Sequence, residues 1–277
     1  MLAARWRHPR LAAALLGAVA AICALAGCGK SGTSQPSAGG VETVVIHTGG
    51  GGVSATATRN TTRLGGASPI ANAAAVARAA YPGLTPASRP HVVAVADFGD
   101  WPAALAASAL ASAPLGAPLL YAQGPRLPAA SLQALAALRP GGASALGGAQ
   151  VVLLGAAIEA PAGYQARGTS IGEPASLAAS VAQLLTVVRG TSPHQAIVVA
   201  LDGPPALAMP AAGLAAESGA PILFVTRGSI PAATAAELTQ LHRPTIYTVG
   251  STAIGERVLG ELARYGPVKR AEAGEGE

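Results

Sequence analysis

The chain has 277 residues, of which 51% are hydrophobic, 11% charged and only 3% aromatic, with 35 Gly and 22 Pro. So little charge excludes a disordered polyelectrolyte for the bulk of the chain, and glycines without a three-residue period exclude a collagen-like helix. Arg5, Arg7 and Arg10 lie in a segment expected to be removed; the remaining 15 basic residues face 13 acidic ones, with no basic cluster and few aromatics, which argues against nucleic acid as a partner.

Residues 1–10 carry the three arginines, and residues 11–27 (LAAALLGAVAAICALAG) are uncharged and apolar. A positive segment followed by a short hydrophobic one has the form of an export signal. It ends in Leu25-Ala26-Gly27-Cys28, which resembles the lipobox of bacterial lipoproteins. In that family the cysteine thiol receives diacylglycerol, the signal is cut before it, and the new amine is often acylated, as with palmitate. The resemblance implies residues 1–27 as signal peptide, Cys28 as the lipid-attachment residue, and a location on the outer face of the cell membrane. Two or more acyl chains anchor stably where one is marginal, each buried methylene contributing about 0.8 kcal/mol. Cys23, the other cysteine, sits inside the signal, so no disulfide or cysteine metal site is expected afterwards.

Residues 28–59 begin with a Gly/Ser-rich stretch of flexible-tether composition. Gly29-Lys30-Ser31 lacks both the upstream glycine and the strand of a phosphate-binding loop. The short run Val44-Val45-Ile46 reads as a weak edge strand or as part of the stalk. Residues 266–277, charged and poor in large apolar groups, are expected to form a frayed, disordered tail.

Between these ends the chain repeats. Residues 92–96 (VVAVA), a helical stretch from Pro102 to Ser112, Gly116-Ala117-Pro118-Leu119-Leu120, a helical stretch after Pro128, and the run at 151–155 form the first copy. Residues 197–201 (IVVAL), a helical stretch to Ser218, Gly219-Ala220-Pro221-Ile222-Leu223, a helix after Pro231 and the run at 245–250 form the second. Gly116 to Gly219 and Pro128 to Pro231 share an offset of 103 residues, and the first copy alone has GGASALGG (141–148) before its last strand. Each copy reads helix, strand, helix, strand, helix, strand. Short continuous apolar strands alternating with helices predict parallel sheets covered on both faces. The expected fold class is α/β: two tandem Rossmann-like modules, 60–157 and 168–265, with short parallel sheets flanked by helices.

Thr61-Thr62-Arg63-Leu64-Gly65-Gly66, the Ala-rich helix after it, the two Gly-Ala-Pro segments and the strand runs in their order resemble the second type of cell wall-binding repeat of Gram-positive surface proteins. The resemblance covers about 200 residues. It implies Rossmann-like units that associate and bind anionic polymers of the envelope, with oligomerisation compatible with it. Surface-layer members usually carry three such modules packed around one another; here there are two. The aspartate that opens the family's second helix is replaced in Ala103-Ala104-Leu105, and the second copy lacks an arginine in its opening Thr169-Ser170-Ile171-Gly172. Fold depends on the apolar pattern and tolerates these changes; polymer binding depends on the polar positions that differ.

Beyond residue 28 the only aspartates are Asp97, Asp100 and Asp202, each following the first strand of a copy. In open α/β sheets that edge is where ligands bind. It makes Asp97, Asp100 and Trp101 candidates at one mouth and Asp202 at the other. Helix capping by the aspartates and a packing role for Trp101 at the seam with the neighbouring module are the structural alternatives. For an anionic polymer, Arg63 and Arg126 are the better candidates, through charge-assisted hydrogen bonds. The histidines are dispersed, and no nucleophile elbow, dinucleotide fingerprint or zinc motif occurs, so no catalytic residues, cofactor or metal are expected. Two readings result: a lipid-anchored protein binding wall glycopolymer, linked to peptidoglycan or free of it, and a solute-binding lipoprotein of a transporter.

Overall fold

The computed structural model describes residues 44–47, 54–57, 62–155, 157–169 and 172–271. Three sheets appear among them. The first is antiparallel, in the order β1 (Val44–His47), β2 (Ser54–Ala57), β3 (Thr62–Gly65). The run at 44–46 is thus a strand, and it pairs within this small sheet rather than with the first module.

The first module follows as α1 (Pro69–Ala80), β4 (Val93–Asp97), α2 (Trp101–Ala107), β5 (Leu119–Ala122), α3 (Ala129–Leu138), β6 (Val151–Leu154) and β7 (Ala166–Gly168). Its sheet is parallel throughout, in the order β5-β4-β6-β7. The second module runs α4 (Pro174–Arg189), β8 (Gln195–Ala200), α5 (Pro205–Ala208), α6 (Pro210–Ser218), β9 (Ile222–Val225), α7 (Ala232–Gln240), β10 (Thr245–Val249), α8 (Glu256–Leu262) and β11 (Val268–Ala271). Its parallel sheet has the order β9-β8-β10-β11. Two tandem α/β modules are therefore present, each with a fourth strand beyond the three that apolar runs reveal.

Those fourth strands correct the expected boundaries. β11 occupies residues 268–271, inside the stretch expected to be a disordered tail, because Val268 pairs with Ile246 at the open edge of β10. β7 is exposed along its whole length, so it carries no apolar signature.

Pairing registers confirm the repeat. Ala94 stands opposite Leu119, and Ile197 opposite Ile222, which keeps the offset of 103. Ala94 also stands opposite Val152, whereas Ile197 stands opposite Tyr247, which lowers the offset to 95 past the eight-residue insertion. A buried hydroxyl repeats as well: Ser131 Oγ donates to the Tyr121 carbonyl and Thr234 Oγ1 to the Phe224 carbonyl, both at 2.6 Å. Each hydroxyl satisfies a carbonyl on an edge strand that would otherwise lack a partner beneath its helix.

Helix faces are built from alanine. α1 buries Ala71, Ala74 and Ala75 at the i, i+3, i+4 spacing of one helical face. Small side chains let it lie close to α3 and β5. Ser68 caps it, accepting from the Ala71 amide at 3.2 Å, and Pro69 occupies a first-turn position where no amide is needed. One apolar cluster gathers α1 and α3 with Val93, Val95, Leu120 and Val151 on one face of the first sheet. A larger cluster joins the other face, through α2, to the whole interior of the second module. The Gly-rich insertion at 141–148 belongs to this seam: its Leu146 is buried, and the turn Ser144–Leu146 packs on α4.

Candidate functional site

Parallel strands end together, so the turns after β4, β5 and β6 form one rim of the first module, and those after β8, β9 and β10 one rim of the second. Of the three aspartates, only Asp100 caps a helix. Its Oδ1 accepts from the Ala103 amide at 2.9 Å at the start of α2. Asp97 accepts instead from the Gly99 amide at 3.2 Å and the Gly124 amide at 3.4 Å, tying the turn after β4 to the turn after β5. Asp202 does the same in the second module, accepting from the Arg227 amide at 2.8 and 3.0 Å. Gly124 and Arg227 are themselves related by the 103-residue offset. A carboxylate that fastens two strand-end loops is thus a repeated structural device, and it uses the charge that a ligand would otherwise meet.

Trp101 does not face the rim of its own module alone. Its indole stands edge-on to Phe224 of β9, with centroids 6.1 Å apart and planes at 85°. It is half-buried in the seam between the modules.

The arginines behave differently. Arg126 lies on the loop after β5 and approaches Glu159 at 3.6 Å, with the two side chains 81% and 64% exposed. An ion pair so solvated contributes little to stability and leaves the guanidinium open to another anion. Arg227 lies on the corresponding loop after β9, exposed, with one long contact of 3.5 Å from Nη1 to the Thr252 carbonyl. Arg63 stands on β3 opposite Thr56 of β2; its side chain and Cys28 lie outside the described residues.

The structure therefore brings Asp97, Asp100 and Arg126 to the first rim, Asp202 to the second, and turns Trp101 toward the partner module. Sequence reading missed Arg227, which had no motif around it. The offset from Gly124, whose loop already carried a candidate, was the signal that could have found it. It also missed Arg189, the last residue of α4. This guanidinium crosses to the first module, donating to Ser112 Oγ at 2.9 Å, and burial lowers its pKa. Together with His194, Ser192 and Ser218 it lines a cavity of about 290 Å³.

Glu237 of α7 is buried, with Oε2 accepting from Gln183 Nε2 at 3.2 Å, and both residues line a cavity of about 550 Å³ beside α4. Loss of solvent raises its pKa, and the Gln183 bond opposes the shift. Among the described residues no group of three His, Cys, Asp or Glu side chains could hold a metal ion, and no helix is long and apolar enough to cross a membrane.

Residues 63–155, running from β3 to the end of β6, match the cell wall binding domain 2 (CWB2) family. No curated protein sequence matches the chain. Solved structures share its fold. Cwp8 from Clostridium difficile superposes with a TM-score of 0.60 at 20% identity, over 76% of this chain and 35% of its own. Cwp6 from the same organism gives 0.60 at 14% identity, over 84% of this chain and 36% of its own. The chain thus spans about a third of the length of either protein.

Proposed function

We propose that the chain is a lipid-anchored surface protein, held to the outer face of the cell membrane through Cys28, whose two modules bind anionic wall glycopolymer without catalysing a reaction. The observation that carries this reading is the CWB2 match over residues 63–155, whose parallel strands β4, β5 and β6 recur as β8, β9 and β10 in the second module. Each module is one contiguous segment of chain, which favours a pair of binding units over transporter lobes that exchange strands. The rim chemistry is compatible with it. Each module offers one exposed arginine on the loop after its edge strand, Arg126 and Arg227, and the nearby carboxylates Asp97 and Asp202 are occupied by backbone amides. Exposed guanidinium groups can pair with phosphate or carboxylate of a polymer through two parallel hydrogen bonds.

The test is co-sedimentation of residues 28–277 with purified walls, before and after extraction of their anionic polymers. Binding should follow the polymer and weaken as salt shortens the Debye length to about 10 Å at 0.1 M. Arg126→Gln combined with Arg227→Gln should lower it several-fold. Equal binding to extracted walls overturns the polymer reading. For the anchor, Cys28→Ala should release the protein from membranes or leave the precursor uncut.

A further inference from the structure

The cavity between α4 and α7 is lined by the second module alone, and the repeat shows that the fold does not require its polarity. By the 103-residue offset, Glu237, Thr239 and Gln240 of α7 correspond to Ala134, Ala136 and Ala137 of α3. Ala134 is fully buried and packs in the apolar cluster that joins α3 to α1. In the second module the same position holds a carboxyl group at 2% exposure. Three alanines have thus given way to polar side chains that line one cavity.

The hydrogen bonds decide which chemistry is left for a ligand. Thr186 Oγ1 donates to the Ala182 carbonyl at 3.2 Å and Thr239 Oγ1 to the Ala235 carbonyl at 2.9 Å. Each hydroxyl proton is committed to its own helix, so each oxygen offers a ligand only lone pairs. Gln183 Nε2 is committed to Glu237 Oε2, which leaves the Gln183 carboxamide oxygen to accept. Among the described residues no group donates to the other carboxyl oxygen, Glu237 Oε1.

Charge points the same way. Glu237 and His242 are the titratable side chains of the lining, and Arg189, the basic residue of α4, turns away to Ser112 of the first module. A carboxylate that loses solvent without gaining a cation is destabilised, which is why the Glu237 pKa rises. Beside these acceptors, exposed Val187 and buried Leu241 supply an apolar wall. A fitting ligand combines a short run of methylenes with a cationic end that donates several hydrogen bonds.

We propose that this cavity binds an alkylammonium group, the chemistry of a lysine-type side chain on a peptide or of a free diamine. An ammonium has three donors and no acceptor, which matches Glu237 Oε1, the Gln183 carboxamide oxygen and a threonine oxygen. Its methylenes lie along Val187 and Leu241 while the charged end meets the carboxylate. The site is separate from the rim arginines, and the proposal does not rest on polymer binding.

Both apolar clusters lie within residues 74–268, so residues 28–277 serve for the test. Isothermal titration with Nα-acetyl-lysine methylamide and with cadaverine should give saturable binding with a Kd of about 1 mM or tighter. Preference for the first assigns the site to a peptide side chain, and preference for the second to a free diamine; both support it. The Nε-acetylated lysine derivative, which keeps the methylenes and loses the charge, should not bind. Glu237→Gln should weaken binding by about tenfold or more, and Thr239→Val, at an exposed position, by about threefold. Affinity should rise with pH as Glu237 ionises, a rise kept in His242→Gln and lost in Glu237→Gln. Circular dichroism checks the folding of each variant; should Glu237→Gln fail to fold, Thr239→Val and the acetylated probe decide. Absence of saturable wild-type binding up to about 20 mM overturns the proposal. So does equal binding of the acetylated probe, or an affinity untouched by folded Glu237→Gln.

Discussion

Trp101 offers the sharpest check on the seam. Truncation of a fully buried aromatic costs about 3–5 kcal/mol. Trp101 is half-buried, so Trp101→Ala should cost about 2–3 kcal/mol, of which about 1 kcal/mol reflects the edge-to-face pair with Phe224. In a unit of this size each kcal/mol moves the melting temperature by about 2–4 °C, so a fall of about 5–10 °C is expected in thermal unfolding of residues 28–277. Trp6 is absent from that segment, which makes Trp101 its only tryptophan and its emission a direct reporter. Phe224→Ala in the other module should be more costly, because Phe224 is fully buried. The double-mutant cycle should return a coupling of about 0.5–1.5 kcal/mol between two residues 123 positions apart. Zero coupling, with Trp101→Ala melting within about 1 °C of the wild type, would refute the packing argument. Saturable quenching of wild-type emission by wall polymer would then move the indole to the ligand surface.

Other expectations follow from single residues. Gly155 ends β6 at φ +87°, and a Cβ there would stand 2.9 Å from Asp100 Oδ2 and 3.2 Å from the Ala103 Cβ. Gly155→Ala should cost about 2–3 kcal/mol in denaturant unfolding, and Gly163→Ala, at φ +82° with open space around it, only the backbone part, about 1 kcal/mol. Burial raises the Glu237 pKa above 4.5, so the native state holds this proton to higher pH than the unfolded chain does. Stability from this group is therefore fullest below about pH 4.5 and declines as pH rises through the native value; Glu237→Gln should flatten that decline in a pH series of urea midpoints. Asp202→Ala frees the Arg227 amide and should cost about 0.5–1.5 kcal/mol with faster hydrogen exchange at that amide, while an unchanged rate there would deny the loop tie.

Strands buried on both faces were legible because nothing interrupts their apolar runs. Residues 222–225 follow Gly-Ala-Pro, and their Ile, Leu, Phe and Val side chains leave no polar face; residues 119–122, Leu-Leu-Tyr-Ala, follow the same tripeptide and keep an unbroken apolar run although Leu119 and Tyr121 are half-exposed. β7 and β11 were not legible, since Ala-Arg-Gly and Val-Lys-Arg-Ala belong to exposed edges whose stability comes from ladder bonds rather than burial. The long helical stretch expected up to Ser218 is divided at Met209, where Pro210 starts a new helix and its missing amide ends the ladder of the first. At the rims, spacing located the aspartates but not their partners. Asp97 meets an amide 27 residues away and Asp202 one 25 residues away, contacts that exist only once the parallel strands bring their ends together.

Two equivalent edge strands in one chain show how far a repeat can drift once its surroundings differ. At the paired positions Tyr121 and Phe224, both backbone carbonyls accept a hydroxyl from the helix beneath, so the local fold makes the same demand of each. The difference lies outward. Phe224 has no polar atom and is closed off by Trp101, where a phenolic hydroxyl would need a buried partner. Tyr121 keeps its hydroxyl because a groove over β5 reaches solvent, while partial burial still raises its pKa. The same logic orders the helices above them: α1 spends its outward positions on alanine, and α4 fills them with Leu and Val where α2 arrives. The seam sealed by leucine, valine and phenylalanine is suited to contact that persists for the life of the fold.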